Sequence, residues 1–185
     1  MPLEAEGIAP ENTGDGPPEG AATVRVRKAE ARDRQGLADI MENTSNLTRE
    51  EKDCAAELLD IYLNNPSQND YFFIVATEGS DKPSGYVCYG KNSLTDAVYD
   101  LYWILVDEGC RRSGIGRALL DRTEAVLRGE GARLLVAETS GLPAYDPARR
   151  FYIKNGFREE ARVREFYKPG DDLVIYVKRL REHTI

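Results

Sequence analysis

Hydrophobic and polar positions alternate in short blocks along the chain, and these blocks predict a regular succession of strands and helices. Residues 23–28 alternate valine with arginine, which is the two-residue period of a half-buried strand. Thr48 and Glu51 have the spacing of a capping box, which predicts the start of a helix that ends before Pro66. Residues 101–106 are apolar at every position, as is typical of a strand at the centre of a sheet.

The whole pattern predicts the element order β-α-α-β-β-β-α-β-α-β-β. Predicted strands span residues 23–28, 71–77, 85–91, 97–106, 133–137, 157–167 and 173–180, and predicted helices span 31–42, the segment between Thr48 and Pro66, 115–131 and 148–155. Hairpins make most neighbouring strands antiparallel, whereas the strand-helix-strand unit over 97–138 is predicted to be parallel and right-handed. The expected fold class is α/β, with a mixed, mostly antiparallel sheet and helices on both faces.

Charge and hydropathy exclude several functional classes. The 185 residues include 25 Lys plus Arg against 32 Asp plus Glu, and the net charge of −7 argues against a nucleic-acid partner. The longest apolar runs, over 71–76 and 101–106, are far shorter than the roughly 20 residues of a membrane span, so we expect no membrane partner. The N-terminus has no pattern of a secretory signal, and the three cysteines are far apart in the sequence, which together predict a cytoplasmic protein with reduced thiols.

The first 22 residues differ in composition from the rest of the chain. Residues 1–22 hold four glycines, four prolines and five acids, with no lysine, arginine or aromatic residue. This composition predicts a disordered tail, followed by one folded domain over 23–185. Because five of the 32 acids lie in the tail, 27 acids face 25 bases in the folded part, and its charge is only about −2.

A shortage of histidine excludes further mechanisms. His183 is the only histidine, and it lies close to the C-terminus, where it is a poor partner for a serine or cysteine nucleophile. No Cys-x-x-Cys or His-Glu-x-x-His motif is present, so we expect no metal site. Cys110 stands beside Arg111, but no paired base is visible, so an inert thiol is the expected interpretation.

The segment that carries the most chemical information joins the apolar strand to the next helix through Gly114 and Gly116. The first amides of a helix have no partner inside the helix and lie at the positive end of its dipole. Glycines allow an anion to approach these amides, and Arg111, Arg112 and Arg117 add positive charge. The segment therefore predicts a phosphate or pyrophosphate site.

Other interpretations of these glycines fit less well. Gly109 and Gly114 have the spacing of a Walker A loop, but Ile115 stands where that motif needs lysine. A dinucleotide fingerprint needs a small residue where Leu119 stands, and residues 107–113 separate the strand from the first glycine of the pair. From the residues alone, one further interpretation stays open: the glycines only allow a tight start of the helix, and the arginines beside them are solvated.

Two motifs together resemble the GNAT superfamily of acyl-CoA-dependent N-acetyltransferases. The first is Arg111-x-x-Gly114-x-Gly116, which resembles the pyrophosphate loop of that family, and the second is Phe-Tyr-x-x-x-Gly-Phe over residues 151–157. The resemblance covers residues 23–180 in the order of elements and 98–157 in motif detail. One departure is Glu108, where many relatives have proline, and we expect it to alter only the start of the loop.

The resemblance implies a role for each matching residue. Main-chain groups near residues 104–106 would bind pantetheine because the family splays its fourth and fifth strands apart there, and the amides of 112–117 would hold the pyrophosphate of acetyl-CoA. Tyr152 matches the general acid that protonates the leaving thiolate. The implied cofactor-binding residues are Ile104, Leu105, Val106, Arg111, Arg112, Ser113, Gly114, Ile115, Gly116 and Arg117.

The base that removes a proton from the acceptor amine has two candidates. Asp100 lies where some members of the family place a catalytic carboxylate, and Glu138 at the end of the next predicted strand is its rival. Strand parity places Asp100 on one face with Tyr102, Ile104 and Val106 unless a bulge intervenes. A third option is that a chain of water molecules removes the proton. The non-functional interpretation is that both carboxylates merely face solvent.

The predicted function is an N-acetyltransferase that moves an acetyl group from acetyl-CoA to a primary amine by direct attack. The alternative is a non-catalytic sensor or scaffold of the same fold that binds acyl-CoA. The segments expected to determine the acceptor are 42–70, 141–146 and 167–172. Asp146, Asp171 and Asp172 could favour a cationic acceptor or be solvated turn residues, and a homodimer is possible from the family.

Overall fold

The computed structural model describes residues 23–181 and has the predicted order of strands and helices. The strands are β1 (Val24–Lys28), β2 (Phe72–Glu78), β3 (Pro83–Lys91), β4 (Val98–Val106), β5 (Leu134–Ser140), β6 (Arg158–Lys168) and β7 (Asp171–Arg179). The helices are α1 (Arg34–Asn43), α2 (Arg49–Asn64), α3 (Ile115–Gly129) and α4 (Asp146–Lys154). The predicted tail over 1–22 and His183 lie outside the described residues.

All seven described strands form one sheet, in the order β1-β2-β3-β4-β5-β7-β6. β4 and β5 are parallel, and every other pair of neighbours is antiparallel. The mixed, mostly antiparallel sheet predicted from the sequence is confirmed.

Helices cover both faces of this sheet, each by burying an apolar stripe. On one face, Leu119 and Leu120 of α3 are fully buried in a core that also includes Tyr152 of α4. On the other face, Leu37 of α1 and Leu59 of α2 pack into a second core under the sheet. The prediction of helices on both faces is therefore confirmed.

The two central strands separate soon after they begin. β4 and β5 are paired only over Val98–Asp100 and Leu134–Val136, at the start of each strand. Beyond these three pairs the strands diverge, so β4 after Asp100 presents main-chain groups that have no partner on β5. The expected splaying of the central strands is present.

A bulge interrupts β4 at Tyr102. In the ladder with β3, Cys88 pairs with Trp103 and the next residue, Tyr89, pairs with Leu101, so that Tyr102 is left out. A bulge adds one residue to a strand and reverses which face the following side chains occupy.

The bulge corrects the parity expected for Asp100. Leu101 packs into the core under α3, but so do Ile104 and Val106 on the far side of the bulge. Asp100, which neighbours Leu101, therefore lies on the opposite face of the sheet from Ile104 and Val106.

A second difference concerns Glu138. β5 continues to Ser140, so Glu138 lies inside the strand and pairs with Ile175 of β7, whereas the sequence pattern had ended the strand at Ala137. Thr139 and Ser140 are polar but buried, and pairing with β7 explains why the strand extends through them.

Candidate active site

A cleft of about 460 Å³ opens where β4 and β5 diverge. Five regions line it: Tyr102, Trp103, Ile104 and Leu105 of β4; Glu138, Thr139 and Ser140 of β5; Asn46, Leu47, Thr48 and Glu51 around the start of α2; Tyr145, Ala148 and Tyr152 just before and within α4; and Tyr167, Lys168 and Asp171 of the β6–β7 hairpin. Because the sheet itself is open here, a ligand can reach the edge of β4.

The loop between β4 and α3 leaves its amides free. Gly114 precedes α3 with a φ of 88°, and Arg112 also has a positive φ of 71°. Ala118 is the first residue whose amide reaches a carbonyl of this turn, that of Gly114 at 3.0 Å. Within the described chain, the amides of 112–117 have no hydrogen-bond acceptor. A Cβ at Gly114 would meet no atom within 4 Å, so the space in front of the amides is open.

The arginines of this loop differ in their partners. Arg111 lies 3.3 Å from Glu108, and Arg117 is bonded both to Asp121 and, at 2.8 Å, to the side chain of Asn155. Arg112 forms no ion pair with any residue that the structure describes. Its exposed guanidinium therefore supplies the uncompensated positive charge beside the free amides.

Tyr152 forms part of the cleft wall from the side of α4. Its side chain is 6% exposed and packs against the rings of Phe151, Phe157 and Tyr176. No residue of the described chain is hydrogen-bonded to its hydroxyl. Burial raises the pKa of Tyr152 to about 12, so the phenol keeps its proton at neutral pH and can donate it.

Two contacts fix α4 against the first turn of α3. A Cβ at Gly116 would lie 3.2 Å from the ring of Phe151, so this glycine allows the two helices to approach closely. Arg117 donates to the Asn155 side chain, which in turn donates to the carbonyl of Phe151 at 2.8 Å. The loop with the free amides and the helix that carries Tyr152 are thus parts of one packed unit.

The two candidate carboxylates share one face of the sheet but differ in access. Glu138 lines the cleft, whereas Asp100 is half-buried beside it and accepts a hydrogen bond of 2.8 Å from Asn92. Burial raises the pKa of the Asp100 carboxyl, and the bond from Asn92 partly opposes this shift. Burial and then the charge of Asp100 raise the pKa of Glu138 above its ordinary range.

The side of the cleft away from α3 depends on residues outside the two motifs that resemble the GNAT family. Tyr145 donates to the carbonyl of Asn46 at 2.8 Å and lies 3.2 Å from the carboxylate of Glu51. Asp171 accepts a hydrogen bond from Ser140 and is only 5% exposed. The three segments expected to determine the acceptor each contribute to this lining, but Tyr102 and Trp103 of β4 do so as well.

Asp146 and Asp172 are not free to bind a ligand. Asp146 is paired with Arg149, and Asp172 accepts bonds from Arg162 and from the amide of Glu165. Asp146 begins α4 and Asp172 lies in β7, and their local contacts favour the alternative in which neither carboxylate binds the acceptor.

Metal and membrane features are not seen in the part of the chain that the structure describes. Over residues 23–181 no three His, Cys, Asp or Glu side chains form a group that could hold a metal ion. No described helix is both long and apolar enough to cross a membrane.

Comparison with known proteins places this geometry in a family. A family model for the acetyltransferase (GNAT) domain matches residues 68–159. A GNAT-family protein of known structure from Desulfovibrio desulfuricans is 42% identical, with a TM-score of 0.82 over 86% of this chain and 100% of that chain. A search of curated proteins found no match.

More distant structures share the fold. The ribosomal-protein-S18-alanine N-acetyltransferase from Escherichia coli is 19% identical, with a TM-score of 0.69 over 87% of this chain and 96% of its own. An aminoglycoside 6'-N-acetyltransferase complexed with coenzyme A is 13% identical, with a TM-score of 0.68 over 87% of this chain and 99% of its own. The identity to the Desulfovibrio protein over its full length shows that this chain belongs to the GNAT family and is an acetyltransferase.

Proposed function

We propose that the enzyme transfers the acetyl group of acetyl-CoA directly to a primary amine bound in the cleft. The observation that carries this proposal is the position of Tyr152. Tyr152 lines the cleft, its hydroxyl has no partner in the described chain, and the helix that carries it is packed against the loop with the free amides.

The cofactor is bound by the loop and by the edge of β4. The amides of 112–117 hold the pyrophosphate, and the guanidinium of Arg112 adds charge. The main chain of 104–106, which is unpaired on the side of β5, binds the amides of pantetheine as a neighbouring strand would. Ile104 and Leu105 line the cleft itself, whereas Val106 faces the start of α3, where a Cβ at Gly116 would lie 3.7 Å from it.

In the transfer step, the neutral amine attacks the thioester carbonyl carbon and the carbon–sulfur bond breaks. The departing thiolate takes the proton of the Tyr152 hydroxyl, which is protonated at neutral pH because its pKa is raised. The nitrogen that has gained the acetyl group then loses its extra proton, and this proton restores the phenol of Tyr152. No acyl-enzyme forms, and the protein contributes orientation and charge stabilisation.

Glu138 is the base that prepares the amine. An acceptor amine arrives as an ammonium ion and must lose a proton before it attacks. Glu138 reaches the cleft, and its raised pKa makes it a stronger base than an ordinary carboxylate. Asp100 acts on it indirectly, because its charge helps to raise the pKa of Glu138. The alternative of a water chain predicts little loss when either carboxylate is neutralised.

The test is a panel of primary amines with acetyl-CoA, in which release of free coenzyme A thiol is measured against time. We expect release that depends on both enzyme and amine, with the acetylated amine identified by mass spectrometry. Tight binding of acetyl-CoA with no thiol release for any amine would contradict the proposal and favour a sensor or scaffold. The predicted homodimer and cytoplasmic location stay predictions.

A further inference from the structure

The charged residues that line the cleft are mostly acidic. Glu51 of α2, Glu138 of β5 and Asp171 of β7 bring three carboxylates from three separate elements, and Lys168 brings the one positive charge among the described lining residues. None of these four side chains forms an ion pair with another residue of the described chain. The lining therefore has a net charge of −2 from the three acids and one base.

Two of these carboxylates are held in place by neutral groups. Glu51 accepts a bond of 2.7 Å from the amide of Thr48 and lies beside the hydroxyl of Tyr145, and Asp171 accepts from Ser140. Hydrogen bonds fix the position of a carboxylate but leave its charge uncompensated, and a partly buried charge is stabilised further by a counter-ion.

The three carboxylates share the cleft with the aromatic side chain of Tyr167. Burial raises the pKa of Tyr167, and the charges of Glu138, Asp171 and Glu51 raise it further. Tyr167 and all three acids are in the lining of the same cleft. The negative charge is concentrated in one part of the molecule and is not spread along its surface.

Aromatic faces accompany the carboxylates. Tyr102 and Tyr167 keep 36% and 48% of their surface exposed although both line the cleft, and Trp103 and Tyr145 lie beside them. Aromatic rings attract organic ammonium groups through their faces, and carboxylates attract the same groups by charge. The 460 Å³ of the cleft is a volume for a small molecule.

We propose that the acceptor is a small aliphatic amine that carries a second cationic group, as diamines and polyamines do. This inference rests on the proposed function. One amino group reacts beside Tyr152 after it has lost its proton to Glu138, and the second, as an ammonium ion, is bound by Glu51 and Asp171 among the aromatic rings. The two positive charges of such an acceptor equal in number the net negative charge of the lining.

Three acceptors of equal carbon chain length test this inference. In 1,4-diaminobutane, n-butylamine and 4-aminobutanoate the reacting amine is the same, and the other end is cationic, apolar or anionic. With thiol release as the assay, we expect kcat/KM for the diamine to exceed that for butylamine at least ~10-fold, as an ion pair in a partly buried site permits. The carboxylate acceptor should be the poorest of the three.

Two variants test whether the named carboxylates cause the preference. Glu51→Gln keeps the hydrogen-bonding pattern of the capping box, and Asp171→Asn keeps an acceptor for Ser140. We expect each to lower the ratio of kcat/KM for diamine over butylamine at least ~5-fold, mainly through KM for the diamine, since one charged contact is lost. Comparing ratios removes the effect of each acceptor's own pKa.

Glu57→Gln is the matched control, since it removes the same charge from an exposed position of α2 outside the lining. It should leave the ratio at the wild-type value, and thermal melting should show that all three variants are folded. Equal kcat/KM for the three acceptors, or a ratio that both lining variants leave intact, would overturn the inference while the proposed function stands. Absence of thiol release with every amine would instead overturn the proposed function.

Discussion

The two sides of the cleft are built in different ways. The side proposed for the cofactor is made of main-chain amides from one continuous loop, with a glycine of positive φ at its centre. The side proposed for the acceptor is made of side chains from α2, β4, β5, α4 and the β6–β7 hairpin. A ligand that a whole family shares can be bound by main-chain amides, which any sequence with glycines at the right positions supplies. The acceptor is selected by side chains, which can vary from one member to another.

The largest expected effect is on the cofactor side, in Gly114→Val. The substitution adds a β-branched side chain at a φ of 88° and in front of the free amides, which should weaken coenzyme A binding by about 1000-fold through loss of two or more charge-assisted hydrogen bonds. Isothermal titration with coenzyme A measures the effect.

Gly170→Val separates loss of the site from backbone strain. Gly170 has a similar φ of 79° and equally open surroundings, but it lies in the β6–β7 turn. Its variant should bind coenzyme A like the wild type. Retained binding in Gly114→Val would show that the amides of 112–117 are not the pyrophosphate site.

The second-largest effect is expected for Tyr152→Phe, because Tyr152 acts where the cofactor side and the acceptor side of the cleft meet. Loss of a general acid should lower kcat by about 100- to 1000-fold, because the thiolate then departs without a proton. The Kd for coenzyme A should change less than about two-fold, since the phenol contributes little to cofactor binding.

Tyr176→Phe is the control for Tyr152→Phe. Tyr176 is a buried tyrosine that packs against Tyr152, but it does not line the cleft. If both variants lose the same activity, the effect comes from packing and the assigned role of Tyr152 is wrong.

On the acceptor side, Glu138→Gln should lower kcat/KM at neutral pH by about 100-fold, as removal of a general base does. The ionised carboxylate is the active form, and the pKa of Glu138 lies above that of an ordinary glutamate. Wild-type activity should therefore be low at pH values below this pKa and should rise as the pH increases through it. A pH profile of kcat/KM should lose this acid limb in the variant. An unchanged acid limb would exclude Glu138 as the base.

The smallest effect is expected for Asp100→Asn. Removing this charge removes one cause of the raised pKa of Glu138, so the acid limb should move to lower pH by less than about one unit. If Asp100 is itself the base, its variant shows the large loss and Glu138→Gln the small one, so the two profiles together decide between the carboxylates.

The same contrast explains how much the sequence could predict. The loop through Gly114 and Gly116 could be identified from contiguous residues because its function depends on backbone conformation, which local sequence determines. The capping box was predicted in the same way, and the amide of Glu51 donates to the Thr48 hydroxyl at 3.2 Å as expected. Element order followed from hydrophobic period and was right throughout residues 23–181.

The acceptor side could not be predicted in the same way. The bulge at Tyr102 has no signal in the alternation of an all-apolar strand, so strand parity could place Asp100 only on the condition that no bulge intervenes. Glu51 was identified only as a capping residue, and its place beside Tyr145 depends on packing between segments that are 94 positions apart in the chain. Side chains that meet through tertiary structure leave no pattern in a single sequence.

The contact between Gly116 and Phe151 has an evolutionary consequence. A larger residue at position 116 would push α4 away from α3 and, with it, the phenol of Tyr152. Substitutions at 116 and 151 are therefore expected to covary among relatives, with Arg117 and Asn155 forming a second coupled pair. Residues on the acceptor side of the cleft can change without disturbing either pair. Single mutations there can therefore change which acceptor is preferred.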